Sequence, residues 1–236
     1  MKIDNIPKSI ALIPDGNRRC AKRLMLQPWK GHEWGAEKVK EVFGWCKALG
    51  VKDMTIYALS LENINKRPKA ELNHLFGIAR KEFADVNNNP SHFVHNDKVR
   101  LHFFGELDKL PKDLQSEIAK AAEKTKEYSN FRINYAIAYG GRQEIVQACR
   151  KLAADCPNPM SISEDMLKHS LQTNGMVAEP DLVLRTGGEK RLSNFLLFQS
   201  AYSELSFVDS FWPDLKKEEF VAAIKDYSNR KRRFGK

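Results

Sequence analysis

Long apolar runs are missing from this 236-residue chain. None approaches the roughly 20 residues of a membrane-spanning helix. The opening segment, MKIDNIPKSI, has no apolar stretch of the kind a secretory signal carries. The expectation is a protein made and kept in the cytoplasm. Cysteine is sparse: Cys20, Cys46, Cys149 and Cys156 form no C-x-x-C pair, so free thiols are favoured over disulfides or a zinc site. Repeats at solenoid or propeller periods are absent. So are the Walker spacing G-x-x-x-x-G-K-[ST] and the dinucleotide fingerprint G-x-G-x-x-G.

What the chain does have is positive charge and alternation. The net charge of +9 suits an anionic partner, whether nucleic acid, a phosphorylated small molecule or an acidic membrane surface. Short β-rich runs at 9–13, 53–59, 99–104, 131–138, 181–185 and 205–208 alternate with amphipathic patterns near 33–48, 69–87, 111–128, 141–155, 163–171 and 216–232. Most strands are apolar throughout, as strands covered on both faces by helices are. This predicts one α/β domain over residues 1–236, with a mainly parallel central sheet of about six strands flanked by helices.

Ligands of such sheets bind beyond the carboxyl ends of the strands, and three polar clusters fall there. After the first strand comes PDGNRR, in which Asp15 could hold Mg²⁺. Gly16 and the following amides could receive phosphate oxygens, with Arg19 adding a charge-assisted contact. The same segment reads equally as an N-cap in a solvated turn. After the second strand comes SLENINKRP, 60–68. The third cluster, RTGGEKRLSNF, is the most specific: Arg185, Arg191 and Ser193 place two forked cations and a hydroxyl around a glycine turn, a set suited to a diphosphate. Glu204 lies among apolar residues and is either ion-paired or bound to metal. His32 is expected at a helix start, as a cap or as a proton donor to phosphate. The tail NRKRRFGK reads as a solvated basic end or a nucleic-acid contact.

The blocks PDGNRRCAK, GHEWGA, YALSLENINKRP, NYAIAYGGRQEIV, PDLVLRTGGEKRLSNFLLFQSAYSE and RRFG, in this order, resemble the cis-prenyltransferases, the undecaprenyl diphosphate synthase family. The resemblance runs from about Ile10 to Gly235. It implies an enzyme that condenses an allylic diphosphate with isopentenyl diphosphate and leaves a cis double bond in a polyprenyl diphosphate. It further implies Asp15 as Mg²⁺ ligand on the leaving diphosphate, with Glu204 helping to hold the metal. Asp15 and Asn63 are the implied catalytic positions. Gly16, Asn17, Arg18 and Arg19 would bind phosphate, and His32 would assist the allylic diphosphate. Ser60, Glu62, Asn63 and Arg67 match a mobile loop that closes over the substrates, and Arg185, Arg191 and Ser193 would grip isopentenyl diphosphate. A homodimer is implied, with Arg233 and Gly235 of the tail reaching the partner's site. So is transient membrane contact through the lipid product. The prenyl tail needs an apolar tunnel, in which each isoprene unit gains about 3–4 kcal/mol from burial. Leu72, Leu75, Phe76, Ile78 and Phe83 are its candidate wall, although each reads equally as core.

The chain departs from the family pattern at Cys20, in place of Trp, and at Pro28, in place of an arginine common in bacterial members. Ile64 replaces the Trp that commonly follows Glu-Asn, and Lys190 stands where bacterial members often have His. These changes predict preserved catalysis with an unusual allylic donor, acceptor or product length. Two alternatives compete. A non-catalytic subunit of a two-component prenyltransferase would be expected to lose Asp15 and the diphosphate arginines, which are present. A nucleic-acid-binding protein would show salt-sensitive binding, but no motif of that kind occurs. An all-helical trans-type prenyltransferase is disfavoured, since no adjacent Asp pair exists.

Overall fold

In a computed structural model, which describes residues 3–174 and 177–230, six strands form one all-parallel sheet. They are β1 (Ser9–Ile13), β2 (Asp53–Ser60), β3 (Val99–Phe104), β4 (Phe131–Tyr139), β5 (Leu182–Arg185) and β6 (Glu204–Phe207), in the order β3-β4-β2-β1-β5-β6. The expected α/β class and strand count are therefore found, with strand boundaries within a residue of the reading from sequence. All five residues of β1 are buried and they divide by parity. Ile10 and Leu12 join the larger core cluster, while Ala11 and Ile13 join the smaller one on the other face, as a pleat of period two requires.

The larger core is closed by α2 (Pro28–Leu49), α4 (Lys69–Asn88), α6 (Lys112–Thr125) and α9 (Lys217–Asn229), through Val42, Phe83, Leu114 and Phe220 among others. Two short helices are not visible in the apolar periodicity: α1 (Asn17–Arg23) and α3 (Leu61–Lys66). Each is only two turns or fewer and mostly polar, too short for a 3.6-residue pattern to register. Gly16 ends the turn before α1 with φ +103°, and a Cβ there would lie 2.6 Å from the Phe211 ring. The position therefore needs glycine both for backbone angle and for space. A four-residue helix, α5 (Phe93–Asn96), precedes β3, and α7 (Gly141–Asp155) and α8 (Glu164–Ser170) follow β4. No helix among the described residues is long and apolar enough to cross a membrane.

The sheet order fixes where a ligand can enter. From β1 the chain crosses to β2 on one side, and from neighbouring β5 it crosses to β6 on the other. That reversal opens a crevice at the carboxyl ends of β1 and β5. Ile13 pairs with Arg185 in the register, so Asp15 and the Arg185 side chain meet at this crevice. Beside it, β2 carries register irregularities between Tyr57 and Ser60, a common device for re-aiming backbone next to a site.

Candidate active site

Asp15 is the centre of the crevice. Its Oδ2 accepts from Arg185 Nη2 at 2.7 Å and its Oδ1 from Arg19 Nη2 at 3.2 Å. Burial pushes the carboxyl upward, but the Arg185 and Arg19 guanidiniums outweigh it and hold Asp15 below its ordinary value. Arg185 is 4% exposed. Its Nη1 donates to Ser193 Oγ at 2.7 Å, while its Nε is buried without a partner among the described residues. An unmet donor beside an ionised carboxylate suits a further anion.

Ser193 and Asn194 both lie in the left-handed region, at φ 51° and 67°. That double turn aims Ser193 at Arg185 and sends Asn194 Nδ2 to Glu62 Oε1 at 2.7 Å. Asn194 also accepts from the Arg142 amide at 2.8 Å, tying the loop to the start of α7. The segment expected as a closing loop is helical: Ser60 caps α3 by accepting from the Asn63 amide at 3.1 Å.

One expectation needs correction, and two other expected site residues are ion-paired within this chain. His32 does not open its helix, because α2 begins at Pro28. Proline at the first position needs no N–H partner, so the helix starts a turn earlier and His32 is a buried residue of its second turn. Glu204 does not join Asp15 within this chain. It pairs with Leu182 at the amino end of β6, whereas Arg185 pairs with Phe207 at the other end, and its Oε2 accepts from Arg230 Nη1 at 2.6 Å. The Arg191 guanidinium is exposed and paired with Glu189; only its carbonyl reaches Arg185. Arg233 and Gly235 lie outside the described residues. Of the four departures, Pro28 lines the cavity at Asp15, while Cys20 is buried 3.6 Å from Asp214 Oδ2. Ile64 packs on the core, and Lys190 is exposed.

The most informative residue that sequence reasoning passed over is Glu71, near the start of α4 and 6% exposed. Its Oε1 lies 3.1 Å from His32 Nε2, 3.2 Å from Arg67 Nη1 and 3.8 Å from Arg18 Nε. One carboxylate thus positions three of the expected substrate-binding side chains. Burial lowers the His32 proton affinity, Glu71 partly restores it, and Arg67 and Arg18 lower it again, so the ring sits below its ordinary value. A sequence signal existed in the carboxylate four residues before Leu75, on the helix face that also carries Ile78. Tyr57 was also passed over: its hydroxyl donates to the Tyr139 carbonyl at 3.1 Å, and its ring stacks on Phe195 at 4.5 Å.

Two cavities meet here. The polar one, about 990 Å³, is lined by Asp15, Gly16, Asn17, Arg18, Arg19, His32, Ser60, Glu62, Asn63, Arg67, Arg185 and Ser193. The other, about 180 Å³, runs under α2 and α4 and is lined mainly by apolar residues. Pro14, Asn17, His32, Tyr57, Ala58, Leu59 and Leu75 line both.

An arginine-held carboxylate thus sits at the switch point of an α/β sheet and opens onto joined polar and apolar chambers, an arrangement suited to an amphiphilic anion. Residues 13–235 match the family described as "Putative undecaprenyl diphosphate synthase", and the chain belongs to this family of cis-prenyltransferases, transferases of prenyl groups. It is 44% identical, over its whole length and 87% of the relative, to the tritrans,polycis-undecaprenyl-diphosphate synthase (geranylgeranyl-diphosphate specific) of Methanopyrus kandleri. The equally named protein of Methanocaldococcus jannaschii is 43% identical over 99% of this chain and 84% of the relative. Lavandulyl diphosphate synthase from Lavandula x intermedia, in complex with dimethylallyl diphosphate, superposes with a TM-score of 0.90 at 32% identity. That match covers 98% of this chain and 99% of the other.

Proposed function

We propose that this enzyme is a Mg²⁺-dependent cis-polyprenyl diphosphate synthase that takes geranylgeranyl diphosphate as allylic donor and isopentenyl diphosphate as acceptor. The observation that carries the reading is the junction of the two cavities, which gives one molecule a place for both a diphosphate and a prenyl tail. The archaeal relatives, named as geranylgeranyl-diphosphate specific, support the donor. A donor other than farnesyl diphosphate also agrees with the departures from the bacterial pattern.

Asp15 fits Mg²⁺. It is a single ionised carboxylate, 30% exposed at the side chain, facing a polar chamber, and Mg²⁺ is commonly held by one or two carboxylates with waters and substrate phosphates. When bound, the metal would neutralise charge on the departing diphosphate. The protein's own residues do the rest. Arg19, Arg67 and Arg185 supply fixed positive charge where two diphosphates converge, which stabilises the departing anion without solvent reorganisation. The Arg185 guanidinium and the Ser193 hydroxyl, both on the wall of the polar cavity, would hold the acceptor diphosphate. Asn63 and Glu62, carried on α3 beside the mouth, orient the reacting ends, and the apolar cavity takes the tail and excludes water.

The same reading includes contact with an acidic membrane surface and self-association. Leu24, Met25 and Leu26 are exposed, and Leu26 lines the polar cavity with Lys22, a combination suited to an anionic bilayer. The edge strand β6 exposes Leu205, which supports pairing with a second copy. The test is incorporation of labelled isopentenyl diphosphate, with Mg²⁺ and allylic diphosphates of two to five isoprene units offered in turn. Best incorporation with the four-unit donor is expected. Equal or better use of farnesyl diphosphate would refute the donor assignment, and no incorporation at all would return the non-catalytic subunit.

A further inference from the structure

Away from the polar chamber the apolar cavity carries one charged pair, Lys40 and Glu82, beside Phe83, Phe93 and Leu114. Its lining descends two neighbouring helices, from His32 to Lys40 on α2 and from Leu75 to Glu82 on α4. At 1.5 Å per residue, Lys40 and Glu82 lie about 12 and 10 Å along those axes from the residues shared with the polar chamber. There Lys40 Nζ and Glu82 Oε2 are 3.1 Å apart, bridging the two helices. Their side chains keep 36% and 27% exposure, so the bridge has one face on the cavity and the other on solvent. His92, buried behind it, places Nε2 3.3 Å from Glu82 Oε1 and 3.8 Å from Asp85 Oδ2. Burial disfavours the Glu82 charge, but His92 and Lys40 outweigh it and hold the carboxyl below its ordinary value.

The cavity is also small. At about 180 Å³ it is only slightly larger than the ~150 Å³ cavity that admits one benzene ring. It takes only the tip of a tail whose units nearer the diphosphate lie in the larger chamber, and each unit added drives that tip towards the bridge. An apolar tip that advances must part the two charges, and separating a partly buried pair leaves each charge without its partner.

We propose that the Lys40–Glu82 bridge, backed by His92, is a gate at the rear of the prenyl cavity, and that its strength sets how far the chain grows. The inference rests on reading that cavity as the place of the prenyl tail. It assigns product length to a pair of charges rather than to the bulk of an apolar floor.

The test uses Glu82→Gln and Lys40→Met, which keep side-chain size and remove one charge each. Lys81→Met, at an exposed cation on the same helix, serves as control. Each purified enzyme receives geranylgeranyl diphosphate, labelled isopentenyl diphosphate and Mg²⁺. Products are extracted and sized, and melting temperatures are recorded. The main product should lengthen by at least two isoprene units in both gate variants and stay put in the control. Unchanged lengths in the gate variants overturn the proposal, as does an equal shift in the control. Should one gate variant fail to fold, the other decides alone. Failure of the unmodified enzyme to incorporate label with any allylic donor would instead overturn the prenyltransferase reading, and the gate with it.

Discussion

The two ends of the sheet each carry an aspartate beside an arginine, and the two pairs behave oppositely. Asp15, beyond the carboxyl end of β1, accepts from two guanidiniums at 2.7 and 3.2 Å and is held below its ordinary value. Asp53 opens β2 at the amino end. Its Oδ1 accepts from Asn134 Nδ2 at 2.8 Å, and Arg132 approaches Oδ2 only to 3.6 Å. Burial dominates there, and the carboxyl is pushed up to about 6. The same two residue types thus make a charged centre at one end and a reluctant carboxylate at the other. What separates them is cation supply: the site holds more guanidinium than its own carboxylate needs, with Arg185 Nε still unmet among the described residues. An excess of that kind implies an anion yet to arrive.

The sharpest way to break the comparison is to remove each aspartate. Asp15→Ala should cut incorporation of isopentenyl diphosphate by about 10³, near 4 kcal/mol of barrier, because charge compensation is usually the largest catalytic contribution. Its melting temperature should fall as well, because the buried Arg185 loses its carboxylate partner, so the rate is compared on protein that is still folded at the assay temperature. A variant within tenfold of the unmodified rate would show that Asp15 is not part of the machinery.

Asp53→Asn should leave the rate alone and alter only stability. The folded-state value of about 6 lies above the 3.8 of an ordinary aspartate. The folded state therefore binds more protons between those values, and stability is lost as pH rises from about 4 to about 6. Each tenfold change in proton affinity corresponds to roughly 1.4 kcal/mol, so the loss is about 3 kcal/mol. Denaturant titration at pH 4 and pH 7 should show the Asp53 contribution as the difference between the pH dependence of the unmodified protein and that of Asp53→Asn. Asp15 acts in the opposite sense, adding stability above about pH 4 that fades as pH falls. If Asp53→Asn leaves the profile unaltered, the amino-end cluster is not the source of it.

Arg185→Lys separates charge from shape. Lysine keeps the positive charge but cannot span Asp15 and Ser193 with one rigid fork. A loss of about 10² in kcat/KM is expected, with most of it in KM for isopentenyl diphosphate. An unchanged KM would move the acceptor elsewhere.

Much of this is legible in the amino-acid sequence, and the limits have physical causes. Strands such as β1 announce themselves because burial on both faces forces an unbroken apolar run, and the sheet order then brings PDGNRR and RTGGEKRLSNF together. The short polar helices α1 and α3 carry too few turns for periodicity, so their residues read as loop. Glu204 reads from sequence as ion-paired or metal-bound and is ion-paired with Arg230, but a strand's residues do not state which of its ends faces the site. In β6 the carboxylate sits at the first residue, level with Leu182, while the end level with Arg185 is Phe207. Glu71 escapes for a different reason: Arg67 stands only four residues before it, but His32 comes from α2, so the full cluster exists only once α2 and α4 have packed.

That makes Glu71→Gln the most delicate prediction. Glutamine keeps the volume and one oxygen near His32 and Arg67 but removes the charge they share. With the carboxylate gone, the interaction that raises the His32 proton affinity is lost, while burial and the arginines continue to lower it. The acid limb of the kcat/KM profile should move to lower pH, with a fall of about tenfold at neutral pH and KM for the allylic diphosphate rising more than kcat declines. A purely structural role would instead lower the melting temperature and leave the acid limb where it was. A shifted limb in a well-folded variant would establish Glu71 as a positioning residue, linking the polar mouth of the cavity to the helix that roofs its apolar depth.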